Sequence, residues 1–350
     1  MFRNSHEFRY KFEEPNMRSL LSRRAPCAAV SALVAVSAAI VLFDWASTSS
    51  AAAAEKAPPL TLEQIPFDGR AAYEYLKQIC AVGPRPSGSA GMVAQQKILS
   101  EHFQRLGAQV RFQEFRAPNP LDQSSVPMAN MIVQWHPDRM ERILLCTHYD
   151  TRPLPDHDPR NMNGVHIGAN DGASGLAVLM ELAKWMPRLE GNYGVDFVVF
   201  DGSQFVYKEG TWRHPGDPAN LGAKEFAHSY VNDPPPYKYR WGVLLNMVGN
   251  ADLHVYEEMN SMSYRATRPL VEDIWRVAYQ TGVREFVATR KDSVSDDHVR
   301  LNDIAKIATC EVVDFDDPNW RTQQDTPDHC SPLSLAKVGW VLLQWLPQAK

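Results

Sequence analysis

Apolar residues recur at helical spacing over Asp68–Ala81 and Ala90–Leu106, and the turn-rich Gly83-Pro84-Arg85-Pro86-Ser87-Gly88 separates the two runs. The pattern predicts an opening pair of helices. It then switches to strand-like stretches at Gln109–Phe115, Met131–Trp135 and Arg142–His148, followed by a helix over Gly172–Met186, a strand at Val195–Asp201 and a helix near Ala219–Tyr230. Strands at Trp241–Val248 and Leu253–Tyr256, a helix over Pro269–Gln280, strands at Glu285–Ala288 and Ile307–Phe315 and a helix over Ser334–Leu346 complete the alternation. Near-continuous apolar runs such as Ile143–Cys146 and Phe197–Phe200 fit strands covered on both faces, hence an α/β fold with a largely parallel sheet between helical layers. In such sheets ligands bind beyond the carboxyl ends of the strands, so the residues after each apolar run carry the chemistry.

Composition changes the picture only at the N-terminus. Arg18, Arg23 and Arg24 precede an uncharged stretch from Ala25 to Phe43, followed by Ser/Ala-rich residues and Pro58-Pro59. Nineteen uncharged residues approach the length of a membrane span, while Ala51–Ala54 offers small residues for signal cleavage, so anchor and cleaved signal both stand. The basic flank places the chain after Asp44 outside the cytoplasm, in the periplasm or at the cell surface. Residues 1–56 thus read as a cytoplasmic leader, export or transmembrane segment (25–43) and linker, and 57–350 as one domain with no composition break. The net charge is -5 with no long basic stretch in the folded region, which argues against nucleic acid as a partner. Of five cysteines, Cys27 lies in the export segment; Cys80, Cys146, Cys310 and Cys330 allow three pairings and form no Cys-x-x-Cys metal pattern.

Six motifs stand at strand ends. Thr147-His148-Tyr149-Asp150-Thr151 places a His and an Asp two apart, where one can hold a metal while the other orients it. Gly168-Ala169-Asn170-Asp171-Gly172-Ala173-Ser174-Gly175 offers Asp171 either as a helix cap or as a carboxylate ligand, and lacks the Lys-Ser/Thr ending of a phosphate loop. The others are Asp201-Gly202-Ser203-Gln204, Leu245-Asn246-Met247-Val248-Gly249-Asn250, Ser295-Asp296-Asp297-His298, and the run from Asn319 through Trp320, Arg321 and Asp325 to Asp328.

In this order the motifs, with Gly83–Ser89, resemble the zinc aminopeptidase and glutaminyl cyclase family over roughly residues 62–348, most closely the glutaminyl-peptide cyclotransferase branch. The resemblance implies a three-layer αβα sandwich with a central mixed, mostly parallel sheet. It implies one zinc in the cyclases and two in the aminopeptidases. The cyclase pattern puts zinc ligands at Asp171 and at positions 204 and 321, a proton-shuttling carboxylate at 203 and supporting carboxylates at 246 and 297. The two-zinc pattern adds His148 and makes 246 a ligand. Trp320 falls on the aromatic wall of the cyclase substrate pocket, and Asp150 and His298 on supporting positions.

The chain departs from that pattern where it matters. Positions 203, 204, 246 and 321 read Ser203, Gln204, Asn246 and Arg321, while Asp171, Asp297 and His148 remain. A neutral amide is a poor zinc ligand, and a guanidinium has no lone pair to give. Ser203 cannot act as the general base a tuned carboxylate provides, a loss of about 10²- to 10⁴-fold in rate. These residues predict absent or weakly bound zinc, with Arg321 paired to Asp171 where the metal would sit. The leading reading is an exported cyclase-like protein, disabled at its zinc site and retaining at most binding of a peptide or protein N-terminus, membrane-tethered if the leader is uncleaved. The competing readings are an active zinc-dependent cyclase or aminopeptidase, converting N-terminal Gln to pyroglutamate or cleaving N-terminal residues, and a structural envelope protein that binds no peptide.

Overall fold

The structure is a computed structural model describing residues 59–207 and 219–350. The expected leader and the apolar segment 25–43 lie outside the described residues. Among the described residues no helix is long and apolar enough to cross a membrane.

Six strands form the main sheet: β1 (Gln109–Pro118), β2 (Ser125–Trp135), β3 (Glu141–His148), β4 (Gly194–Phe200), β5 (Lys238–Asn246) and β8 (Thr309–Val313), in spatial order β1-β2-β4-β3-β5-β8. The β1–β2 and β2–β4 pairs are antiparallel; the β4–β3, β3–β5 and β5–β8 pairs are parallel. The sheet is therefore mixed with a parallel core. Alternate residues of one strand serve opposite layers: Ile143 and Leu145 of β3 join the large core, whereas Leu144 and Cys146 join a second cluster on the other face. Helices α1 (Gly69–Cys80), α2 (Ala90–Arg105), α3 (Ser174–Leu182), α6 (Arg268–Gln280) and α8 (Pro332–Trp345) cover the first face. Helix α4 (Leu221–Asn232), with the turn at 301–305 that continues the short α7 (Asp297–Arg300), covers the second.

Two expectations are corrected. The hairpin strands extend to Pro118 and back to Ser125, because cross-strand pairing from Gln109↔Gln134 to Pro118↔Ser125 carries the ladder beyond the apolar run. The segments expected at Leu253–Tyr256 and Glu285–Ala288 do not enter the main sheet; β6 (Val255–Glu258) and β7 (Phe286–Lys291) pair with each other in a parallel ribbon beside α5 (Met259–Ser263). Cys80, Cys146, Cys310 and Cys330 are all buried free thiols.

The fold is anchored at the amino end of the sheet by Arg142. Its guanidinium is fully buried, 2.5 Å from Asp196, and donates to the carbonyls of Trp135, His136 and Arg139. A buried charge is tolerable only when its donors are this fully used. The opposite, carboxyl edge is where the polar motifs gather.

Candidate functional site at the carboxyl edge of the sheet

His148 is the last residue of β3 and Asn246 the last of β5, so the parallel register brings their side chains to one edge; Ser203 and Gln204 come just after the end of β4. Asp150 fixes the turn after β4, its carboxylate accepting from the amides of Ser203 (3.0 Å) and Gln204 (2.8 Å). The loop before α3 is held likewise, with Asp325 accepting from the amides of Asn170 (2.6 Å) and Asp171 (3.0 Å). Asp171 and Gly172 are non-helical, and Gly172 has φ +108°. A side chain there would strain the backbone, and its Cβ would stand 3.3 Å from both the His148 ring and the Asp150 carbonyl.

At the centre, His148 Nε2 lies 3.0 Å from Asp171 Oδ1 and 3.3 Å from Asn246 Oδ1, while Nδ1 lies 3.1 Å from the Asp150 backbone carbonyl. Each of these neighbours is an oxygen, so the arrangement is satisfied when both nitrogens carry protons. Burial pushes the imidazole's pKa down, but the Asp171 carboxylate pushes it up further, to about 10. Burial in turn raises Asp171, and His148 more than reverses this, holding it at about 2.

The expected Arg321–Asp171 pair is therefore corrected: the ion-pair contact of Asp171 is with His148, and no Arg321–Asp171 ion pair occurs among the described residues. Arg321 instead places its guanidinium 4.1 Å from the Trp320 ring centroid, close enough that its charge still favours ionised Asp171 and Asp156. Its backbone is left-handed (φ +57°), and its carbonyl accepts from the His157 amide. His148 is better placed because it ends a strand directly facing the Asp171 loop.

The other substituted positions are also engaged. Gln204 Oε1 accepts from Arg152 Nη1 at 3.3 Å, and Arg152 grips Asp156 with two bonds of 2.6 and 2.7 Å. Ser203 Oγ donates to Asp297 Oδ2 at 2.7 Å. Burial, then the neighbouring Asp296, raises the Asp297 carboxyl to about 7. Asn246 Nδ2 and Asn220 Nδ2 donate to the two oxygens of Asp296 at 2.8 and 2.9 Å. Above these groups is a cavity of about 210 Å³, whose described lining includes Arg152, Ser203, Gln204, Asn246, Trp320 and Arg321. Trp320 is half-buried, packed edge-on against His157 and Phe315, and forms one wall.

Asp150 and His298 stand outside the cavity lining. The Asp150 carboxylate holds the 203–204 turn, and its backbone carbonyl orients His148. His298 does not line the cavity; it is buried with Glu258 3.2 Å from one ring nitrogen and Glu311 3.2 Å from the other. Glu258, His298 and Glu311 are the one cluster among the described residues with metal-ligand spacing. Glu258, however, already accepts four hydrogen bonds, from the amides of Asn260, Ser261 and Val294 and from Ser261 Oγ. Its lone pairs are committed to capping α5.

Residues 130–346 match the profile of Peptidase family M28. The chain belongs to this family. It is 38% identical to a glutaminyl cyclase of Fimbriiglobus ruber of solved structure, with a TM-score of 0.75 over 81% of this chain and 96% of that one. A Bacteroides thetaiotaomicron glutaminyl cyclase solved with N-acetylhistamine is 29% identical (TM-score 0.73; 82% and 100% covered), and a Zn-dependent exopeptidase of Parabacteroides distasonis is 28% identical (TM-score 0.74; 79% and 97%). Among curated proteins, the alkaline phosphatase isozyme conversion protein of Escherichia coli K12 is 25% identical over 130 residues, 34% of this chain; the chain spans 38% of that relative's length.

Membership makes zinc the metal to test against these side chains, and they do not fit it. Gln204 presents an amide already bound to Arg152, Arg321 has no lone pair and lies on Trp320, and His148 and Asp171 contact each other directly. His166 is the nearest substitute donor in the sequence: its Nδ1 lies 3.2 Å from the Thr322 carbonyl and its buried Nε2 has no hydrogen bond. Yet His166, His148 and Asp171 do not converge to ligand spacing among the described residues. Residue type and spacing alone give no role to four participants: Arg152, Asn220, Asp296 and Asp325. Asp296 and Asp325 lie inside the strand-end motifs, and Arg152 comes directly after one. Asn220 carries no signal short of its left-handed φ of +59°.

Proposed function

We propose that this M28-family protein is a glutaminyl-cyclase-like protein disabled at its zinc centre, which receives a peptide or protein N-terminus in the cavity beside Trp320. The observation that carries the reading is the direct His148–Asp171 contact at 3.0 Å: an imidazole now supplies the counter-charge to a carboxylate that serves as a zinc ligand in the resembled enzymes. Gln204 and Ser203, held in the backbone turn that would present a ligand and a base, support it. The basic residues and apolar stretch before residue 57 support export, with a tether wherever the leader stays on the chain.

The test is zinc content by elemental mass spectrometry, combined with turnover of Gln-initiated peptides. The unmodified protein is expected to hold far less than one equivalent and to release no ammonia. Stoichiometric zinc with chelator-sensitive turnover refutes the reading in favour of an active cyclase or aminopeptidase. Thermal stabilisation by peptide, lost in Trp320→Ala, is expected; its absence supports a structural role instead.

A further inference from the structure

Ser203 is presented in the manner of a nucleophile. It follows Gly202, whose φ of +72° turns the chain sharply at the end of β4, and the amides of Ser203 and Gln204 are both fixed on the Asp150 carboxylate. Ser203 lines the cavity, and its hydroxyl donates to Asp297 Oδ2 at 2.7 Å. Asp297 is fully buried at the start of α7, so the acceptor is held in place and water does not compete with it for the hydroxyl. A hydroxyl bonded to a fixed carboxylate is the pairing through which a serine gives up its proton as it attacks.

Gln204 supplies the second element. Arg152 carries only donors, so the side-chain oxygen of Gln204 faces Nη1, at 3.3 Å, and the amide nitrogen lies on the opposite side of the group. Arg152 is itself clamped on Asp156 by bonds of 2.6 and 2.7 Å, which steadies Gln204 beside Ser203 in the cavity lining. A preorganised amide donor next to a nucleophile stabilises the oxyanion of a tetrahedral intermediate. The two residues that displace a base and a zinc ligand thus put a nucleophile and an oxyanion donor at consecutive positions of one turn.

Beyond the binding role proposed above, and without resting on it, we infer that Ser203 and Asp297 form an acyl-transfer dyad, with Gln204 as oxyanion donor, that acts on esters of small acyl groups. Ser203 Oγ attacks the ester carbonyl carbon and its proton passes to Asp297. The tetrahedral intermediate collapses, and the departing alcohol takes that proton and leaves acyl-Ser203 behind. Water then attacks the acyl carbon and gives a proton to Asp297, which returns it to Oγ as the carboxylic acid leaves. The sum is ester plus water to acid plus alcohol. A cavity of about 210 Å³ admits a small acyl group, and an alcohol leaves a tetrahedral carbon more readily than an amine does, which favours esters over peptides.

The experiment treats the full chain with diisopropyl fluorophosphate and reads the mass of the intact protein and of its peptides. One diisopropylphosphoryl group on Ser203, formed with loss of fluoride, is expected, at a rate that EDTA leaves unchanged. The unmodified protein is also expected to turn over p-nitrophenyl acetate. That turnover is lost in Ser203→Ala and falls about a hundredfold or more in kcat, with KM little changed, in Gln204→Ala. Labelling slows about 10²- to 10⁴-fold in Asp297→Asn. Because Ser203→Ala and Asp297→Asn also weaken the fold, labelling of the unmodified chain decides. No adduct at Ser203, an adduct on other residues alone, or ester turnover that survives Ser203→Ala or stops with EDTA overturns the inference. Each of these outcomes leaves zinc content and peptide binding to their own tests.

Discussion

Replacing His148 by Gln tests the central electrostatic argument. The substitution keeps a polar side chain at the end of β3 but removes the group 3.0 Å from Asp171, leaving a carboxylate that is 1% exposed and has no other ion-pair partner among the described residues. Breaking a buried pair from one side costs about 3–5 kcal/mol, because the remaining charge stays desolvated. The reciprocal Asp171→Asn costs about 1–3 kcal/mol, since a buried imidazole left without its carboxylate can shed its proton. The sign of the shift sets the pH dependence. His148 has a folded-state pKa of about 10, above its unfolded value of about 6.5, so its stabilisation is complete below about pH 6.5 and is lost as pH rises through 10. Urea unfolding at a series of pH values should therefore show the gap between the unmodified protein and His148→Gln narrowing steadily above pH 6.5. A gap below about 1 kcal/mol at pH 6, or one that does not change with pH, refutes the buried imidazolium.

Three further outcomes are expected. A variant carrying Ser203→Glu, Gln204→Glu, Asn246→Asp and Arg321→His should bind about one equivalent of zinc by elemental analysis, because the turn that presents these positions is already built; its failure to fold or load metal contradicts that view of the frame. Ser203→Ala strips the 2.7 Å hydrogen bond from buried Asp297 and should lower stability by about 1–3 kcal/mol in denaturant titration at pH 8, less at pH 5 where the Asp297 carboxyl, raised to about 7, is protonated. Arg142→Met, at the far end of the sheet, leaves buried Asp196 without its cation, with only the Tyr239 hydroxyl and the Gln134 amide as donors, and should cost about 3–5 kcal/mol with no change in peptide binding.

How much a sequence reveals depends on how locally each feature is encoded. Strands β3 and β4 are legible because both faces are covered, leaving unbroken apolar runs, and the positions of the site residues are given by where those runs stop. Residues 125–130 are not, since Ser125, Pro127 and Asn130 interrupt the pattern and are held in the strand by their ladder with β1. Strands β6 and β7 carry apolar patches indistinguishable from those of the main sheet, and only the three-dimensional path separates them. In the site, the chemistry lost at Gln204 and Arg321 is readable from residue type alone. The new partner of Asp171 is not, because His148 and Arg321 are both cationic candidates, and strand register decides between them.

The Asp150 carboxylate holds the turn after β4 through the main-chain amides of Ser203 and Gln204, making no demand on what those residues carry beyond Cα. Shape and reactivity at this edge are thus separately heritable. A mutation at 203 or 204 gives up one side-chain hydrogen bond, to Asp297 or from Arg152, and leaves the turn standing, whereas a change at 150 puts both positions out of place at once. A lineage with this architecture can change the chemistry at this edge through side chains alone, with the backbone that presents them left in place.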